Sequence, residues 1–248
     1  MDYIKNLYQS VAKVERLEKV EDTTSILRLE TTKKLIQHLV NRENIESVLE
    51  IGPASGYITK GICEVLGTQE NITFDILDFS DNFIKSTKNR GLNIANSYTA
   101  DICALNFNIG KYYDLILCQE VIEHLTCPFV ALSNINKILK NNAYLFLTIP
   151  NSLYYGDIMG ILKHVLANKI KTIKDTHIAE ISIIGMIKLL SMSGFEIEKI
   201  YWYGSKKPLL NIFTSKQVGF LARKIAKPEE VWCELERNIL EYWRFRNV

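Results

Sequence analysis

The chain has 248 residues, 47% of them hydrophobic and 23% charged, enough to bury a sizeable core as one large domain or a domain with an appendage. A formal net charge of +2 excludes a bulk electrostatic case for binding nucleic acid or a membrane. Five cysteines (Cys63, Cys103, Cys118, Cys127, Cys233) show no metal spacing, the N-terminus carries charge and no apolar signal, and no apolar stretch could span a bilayer; a reducing cytoplasm is expected.

Taken in chain order, residues 1–43 read as helical, with Ile26, Leu29, Leu35, Ile36, Leu39 and Val40 at helix spacing. Strands are predicted at 47–51, 72–78, 97–99, 113–118 and 143–149, and helices at 57–66, 81–88 and 129–139 between them. Strands alternating with helices imply a mostly parallel sheet covered on both faces. After Pro150 the pattern changes. Residues 153–173 are apolar and aromatic with interspersed lysines, as an insertion beside the sheet would be. A helix at 181–192 is broken by Gly194, two more strands follow at 195–202 and 218–222 as a hairpin edge, and 228–246 reads as a charged helix with Trp232 and Trp243 packing on the domain or on a second subunit.

The segment VLEIGPASGY carries the most information. A buried strand ends in Glu50, the backbone turns through Gly52, Ala54 and Gly56, and a helix opens with unpaired N–H groups. The Glu-x-Gly-x-x-x-Gly spacing differs from the Gly-x-Gly-x-x-Gly of a dinucleotide site and suits a nucleoside without phosphate. Glu50, Asp78 and Asp101 fall where consecutive parallel strands end, so they are expected to converge on one crevice. A carboxylate at Asp78 can accept both hydroxyls of a ribose, and one at Asp101 can accept from an adenine amino group or cap a helix.

With VLEIGPASG, ITFDILDFS, YTADI, YDLILCQEVIEHL and AYLFLTIPN in order, the chain resembles the class I S-adenosylmethionine (SAM)-dependent methyltransferases over about residues 47–151. The later HIAEISIIGMIKLLSMSGFEIEKI resembles their closing helix and strand. The resemblance implies a Rossmann-like α/β fold: a seven-stranded, mostly parallel sheet with helices on both faces and one antiparallel edge strand. It implies a methyltransferase domain over 44–225, an N-terminal helical segment over 1–43 covering the cofactor, an acceptor-side insertion or lid over 152–178, and a C-terminal helix over 226–248. By resemblance, Glu50, Gly52, Ala54 and Gly56 shape the methionine site and Asp78 holds the ribose. Phe79 lies against adenine, Asp101 and Ile102 meet its edge, and Gln119 lies near the methionine. The departure is Pro53-Ala54-Ser55 where many members carry a central glycine; Ala54 is small enough for the turn.

Methyl transfer requires an aligned nucleophile and removal of its proton. Gln119-Glu120-Val121-Ile122-Glu123-His124 supplies candidates: on a helix, Glu120, Glu123 and His124 would share one face, to act as base and orienter or to hold a divalent ion, with His177 closing the cluster. Glu-x-x-Glu-His with a downstream histidine also resembles the Mg²⁺- or Mn²⁺-binding motif of small-RNA 3′-terminal methyltransferases, while many metal-free class I members share Glu-x-x-Glu-His-Leu. Asn151, Tyr154 and Tyr155 are expected at the crevice mouth. Lys163, His164, Lys169, Lys171 and Lys174 form either a basic lid for phosphate or carboxylate or a solvated helix face. The Asn/Asp-Pro-Pro-Tyr/Trp tetrad of base-nitrogen methyltransferases is absent.

The sequence thus predicts a methyltransferase acting on oxygen in a small polar or anionic acceptor, with nucleic acid disfavoured, no membrane insertion, and a homodimer open. The competing readings are a metal-dependent RNA 3′-end 2′-O-methyltransferase and a non-catalytic cofactor-binding scaffold.

Overall fold

The structure, a computed structural model, describes residues 23–69, 71–166, 179–204 and 210–234. His177, Lys169, Lys171, Lys174, residues 1–22 and the end of the C-terminal helix with Trp243 lie outside the described residues.

The elements in order are α1 (Thr23–Arg42), β1 (Ser47–Ile51), α2 (Tyr57–Leu66), β2 (Thr73–Asp78), α3 (Asp81–Lys88), β3 (Asn96–Thr99) and β4 (Tyr113–Gln119). A 3₁₀ turn (Ile122–His124), α4 (Pro128–Ile138), β5 (Leu139–Pro150), α5 (Tyr155–Leu166), α6 (Ile183–Met192), β6 (Phe195–Tyr203), α7 (Asn211–Thr214) and β7 (Gln217–Lys224) follow. The expected α/β sheet is found. Its order is β3-β2-β1-β4-β5-β7-β6. The pairs from β3 through β5 are parallel, and β7 runs antiparallel to both β5 and β6. The antiparallel strand therefore lies one place in from the edge, with β6 outside it.

The central strands read as continuous apolar runs because helices cover both faces. One core layer joins Ile116, Cys118, Leu145 and Leu147 to Leu132, Ile135, Met186 and Leu190. The other joins Val48, Ile76, Leu115, Leu117 and Phe146 to Leu35, Ile36, Leu39, Ile58 and Ile62. Beneath the sheet, Lys224 is buried and donates from Nζ to the carbonyls of Asn136 (2.8 Å) and Leu139 (2.9 Å), satisfying the end of α4. The strand order reverses between β1 and β4, which opens a crevice at their carboxyl ends.

Candidate functional site

The crevice is built from loops that leave the sheet at that reversal. Gly52 has φ +74°, and a Cβ there would lie 2.4 Å from Val121 Cγ2, so the turn admits only glycine without displacing the strand-four loop. Gly56, at φ +78°, precedes α2 with no side-chain cap, which leaves first-turn N–H groups facing the loop. Ala54 also takes a left-handed conformation, φ +45°. A left-handed alanine costs about 1–2 kcal/mol, a strain the surrounding turn must hold.

Three carboxylates stand at the strand ends as predicted, but in different environments. Glu50 is 4% exposed, its Oε2 has no hydrogen-bond partner, and burial pushes its pKa up to about 7. Asp78 is 6% exposed and also pushed up to about 7 by burial, even though its Oδ1 accepts from the Ser80 N–H at 2.8 Å. Asp101 is exposed and accepts from the Cys103 N–H at 2.8 Å, so one oxygen closes a local turn and the other remains at the rim. Ile102 is buried in the core, and its carbonyl accepts from Asn134 Nδ2 at 2.8 Å. Phe79 follows Asp78 at the end of β2 and is half-buried.

On the other side of the reversal, Gln119 ends β4. Its Oε1 accepts from Thr32 on α1 at 3.1 Å, and its Nε2 is buried without a partner. Glu120 has φ +55° and is not on a helix. Its Oε1 accepts from Thr148 (2.8 Å), its Oε2 accepts from Gln217 (2.6 Å), and Arg28 Nη1 lies 3.6 Å from Oε1. Only Glu123 and His124 lie on the 3₁₀ turn, with His124 Nε2 4.0 Å from Glu123 Oε1. The shared helical face predicted for Glu120, Glu123 and His124 therefore does not form, because the left-handed residue at 120 redirects the chain. Among the described residues no three His, Cys, Asp or Glu side chains converge to hold a metal ion. Glu123 is 2% exposed, neither carboxylate oxygen has a partner, and burial, reinforced by Glu120, pushes its pKa up to about 8.

Asn151 does not line the mouth as expected. It is 1% exposed and donates to the carbonyls of Ile212 and Ser215, both at 2.7 Å, pinning α7 to the end of β5. Tyr154 is half-buried against Tyr155, which is exposed, their ring centroids 5.3 Å apart.

Sequence reasoning missed Arg28. Its side chain is 13% exposed, and Nε and Nη1 are buried without hydrogen-bond partners. The signal was present: Arg28, Thr32 and Ile36 recur every four residues, which puts the arginine on the buried stripe of α1. Thr148 and Gln217, the partners of Glu120, gave no such signal because they come from β5 and β7. The unsatisfied groups form a complementary set: an anionic oxygen on Glu50, an amide donor on Gln119 and guanidinium donors on Arg28. That set fits an α-amino acid, which carries one ammonium and one carboxylate.

Residues 49–145 match the family model described as a methyltransferase domain. Magnesium protoporphyrin IX methyltransferase from Synechocystis PCC 6803, solved with bound S-adenosylhomocysteine (SAH), superposes with a TM-score of 0.61 at 14% identity, over 90% of this chain and 97% of that one. The N-methyltransferase NodS from Bradyrhizobium japonicum WM9, also with SAH, gives 0.58 at 18% identity over 88% and 98%. The [4+2]-cyclase SpnF gives 0.55 at 13% identity over 79% and 82%, so the fold is shared by other chemistry too. No curated protein matches the chain.

Proposed function

This chain is a class I SAM-dependent methyltransferase, and from that premise we propose that it methylates an oxygen of a small polar or anionic acceptor. The observation that carries this reading is Glu123, a buried carboxyl group with no hydrogen bond to either oxygen, four residues past Gln119 and with His124 Nε2 4.0 Å from its Oε1. Burial pushes its pKa up to about 8, so its ionised form, which grows as the pH rises through that range, is a strong proton acceptor, and an acceptor hydroxyl would supply the missing donor.

In this account the residues divide into binding and acceptor groups. Glu50 takes the cofactor's ammonium, Arg28 its carboxylate, and Gln119 lies beside the methionine chain under α1. Gly52, Ala54 and Gly56 let the backbone approach, Asp78 accepts from the ribose hydroxyls, and Phe79, Asp101 and the Ile102 backbone bound the adenine. When bound, SAM supplies an activated methyl group with a neutral thioether as leaving group. Glu120, held by Thr148, Gln217 and Arg28, is a positioning residue that fixes the turn before Glu123. Glu123 accepts the hydroxyl proton and His124 orients or relays it. Ala179 donates its N–H to the Glu123 carbonyl at 3.0 Å, which ties the start of the segment before α6 to this turn. A metal has no part in this reading, because both oxygens of Glu120 are already engaged by protein donors.

The test is transfer of label from [methyl-³H]SAM to a panel of sugar, catechol and hydroxy-acid acceptors. Label should enter a hydroxyl position with the wild type and fall by about 10²–10⁴-fold in Glu123→Gln with SAH affinity retained. Undiminished transfer in Glu123→Gln would overturn the assignment.

A further inference from the structure

A cavity of about 580 Å³ lies at the amino end of the sheet, where β5 begins and β7 ends. That volume is in the range of a small-molecule site. The crevice opens at the carboxyl ends of the parallel strands, so cavity and crevice lie at opposite ends of the sheet. Lys137 from the last turn of α4, Lys140 from β5, Lys224 from the end of β7 and Lys227 just beyond it line the cavity. Two of its wall residues are buried, Lys224 at 7% exposure and Asn136 at 0%. Asn136 Nδ2 donates to the carbonyls of Ser193 (2.8 Å) and Ala226 (2.9 Å), which fixes that part of the wall.

The charges select the ligand. Among the lining residues the acidic one is Glu229. Asp114 and Glu230 adjoin the lysines, and each already accepts from the protein: Asp114 Oδ2 from Lys140 Nζ at 2.9 Å, and Glu230 Oε2 from the Lys227 backbone N–H at 2.9 Å. Against all three carboxylates the four ammoniums remain in excess. The carbonyls that end α4 account for Lys224, since they take two of its three N–H donors and leave the third for a ligand. They do not account for exposed Lys137 and Lys227, which have no ion pair to a described residue. Burial, and then the Lys227 ammonium, push the Lys224 pKa below its ordinary value, and Glu230 and Glu229 oppose this more weakly. An anion in the cavity would offset the repulsion between the two ammoniums. A carboxylate brings one negative charge, whereas a phosphate brings up to two and accepts from several ammoniums at once. We propose that this cavity binds a small molecule through its phosphate groups. The site stands apart from methyl transfer and does not depend on that reading.

Calorimetric titration of inorganic pyrophosphate into the full chain, at about 50 mM salt to limit screening, tests this. One-site binding is expected, and it should persist in saturating SAH because the crevice is elsewhere. The double variant Lys137→Ala/Lys227→Ala should weaken it at least about tenfold, as loss of two charge-assisted contacts requires, with an unchanged melting transition to show that it folds. Lys34→Ala/Lys88→Ala removes the same charge from exposed positions on α1 and α3 and should keep the affinity within about twofold. Four outcomes overturn the proposal: no binding, binding abolished by SAH, an affinity unchanged in the first variant or reduced equally in both, or acetate binding as tightly as pyrophosphate.

Discussion

Replacing Arg28 with methionine should separate the amino-acid half of the proposed cofactor site from its nucleoside half. Methionine keeps most of the stem's volume on α1 and removes only the guanidinium, whose Nε and Nη1 are buried without partners. The fold should lose little, because Glu120 keeps Thr148 at 2.8 Å and Gln217 at 2.6 Å. Binding should lose a charge-assisted, forked contact, about 2–3 kcal/mol, or roughly 30–150-fold in SAH affinity. Methylthioadenosine has the same nucleoside without the amino acid, so its affinity should change by less than about twofold. Calorimetric titration of both ligands into both proteins measures the two effects. Equal losses for the two ligands, or none for SAH, would refute the reasoning that Arg28 meets a carboxylate.

Four further outcomes are expected. Glu50 and Asp78 are each pushed up to about 7 by burial, so SAH affinity should fall about a hundredfold from pH 8 to pH 6, with about one proton released per ligand at pH 7 in buffers of different ionisation enthalpy. In the free protein these two groups bind protons that the unfolded chain has lost, so their contribution to stability should decline as pH rises from about 4 to 7, as melts across that range would report. Gly52→Ala should cost about 1–3 kcal/mol through the contact with Val121, and adding Val121→Ala should recover part of it in denaturant titrations. Glu123→Gln should raise stability by about 1 kcal/mol while cutting transfer by the same roughly 10²–10⁴-fold, whereas Glu120→Ala, which strips Arg28 of its counterion, should cost about 3 kcal/mol.

Much of the fold was legible because its signals are local. Strands expected to end at Ile51, Asp78 and Cys118 end at Ile51, Asp78 and Gln119, and the glycines at 52 and 56 take the left-handed turns between β1 and α2. The turn after β4 was not legible. Helical spacing at Glu120, Glu123 and His124 suggested one face, but Glu120 enters a left-handed conformation held by β5 and β7, and no local pattern announces partners about 28 and 97 residues away. Arg28 and Asn151 fail in opposite directions for one reason: burial depends on what packs above them. The arginine on α1 proved half-buried, ion-paired with Glu120 but with no hydrogen bond from Nε or Nη1, and the asparagine past β5 proved to be a pin for α7.

The most direct measurement is calorimetric titration of SAH into the wild type and into Asp78→Asn at pH 8. The account predicts one-site binding in the wild type and loss of at least about tenfold in the variant, whose neutral amide accepts less strongly from the ribose hydroxyls. No heat with the wild type, or unchanged binding in the variant, would contradict it.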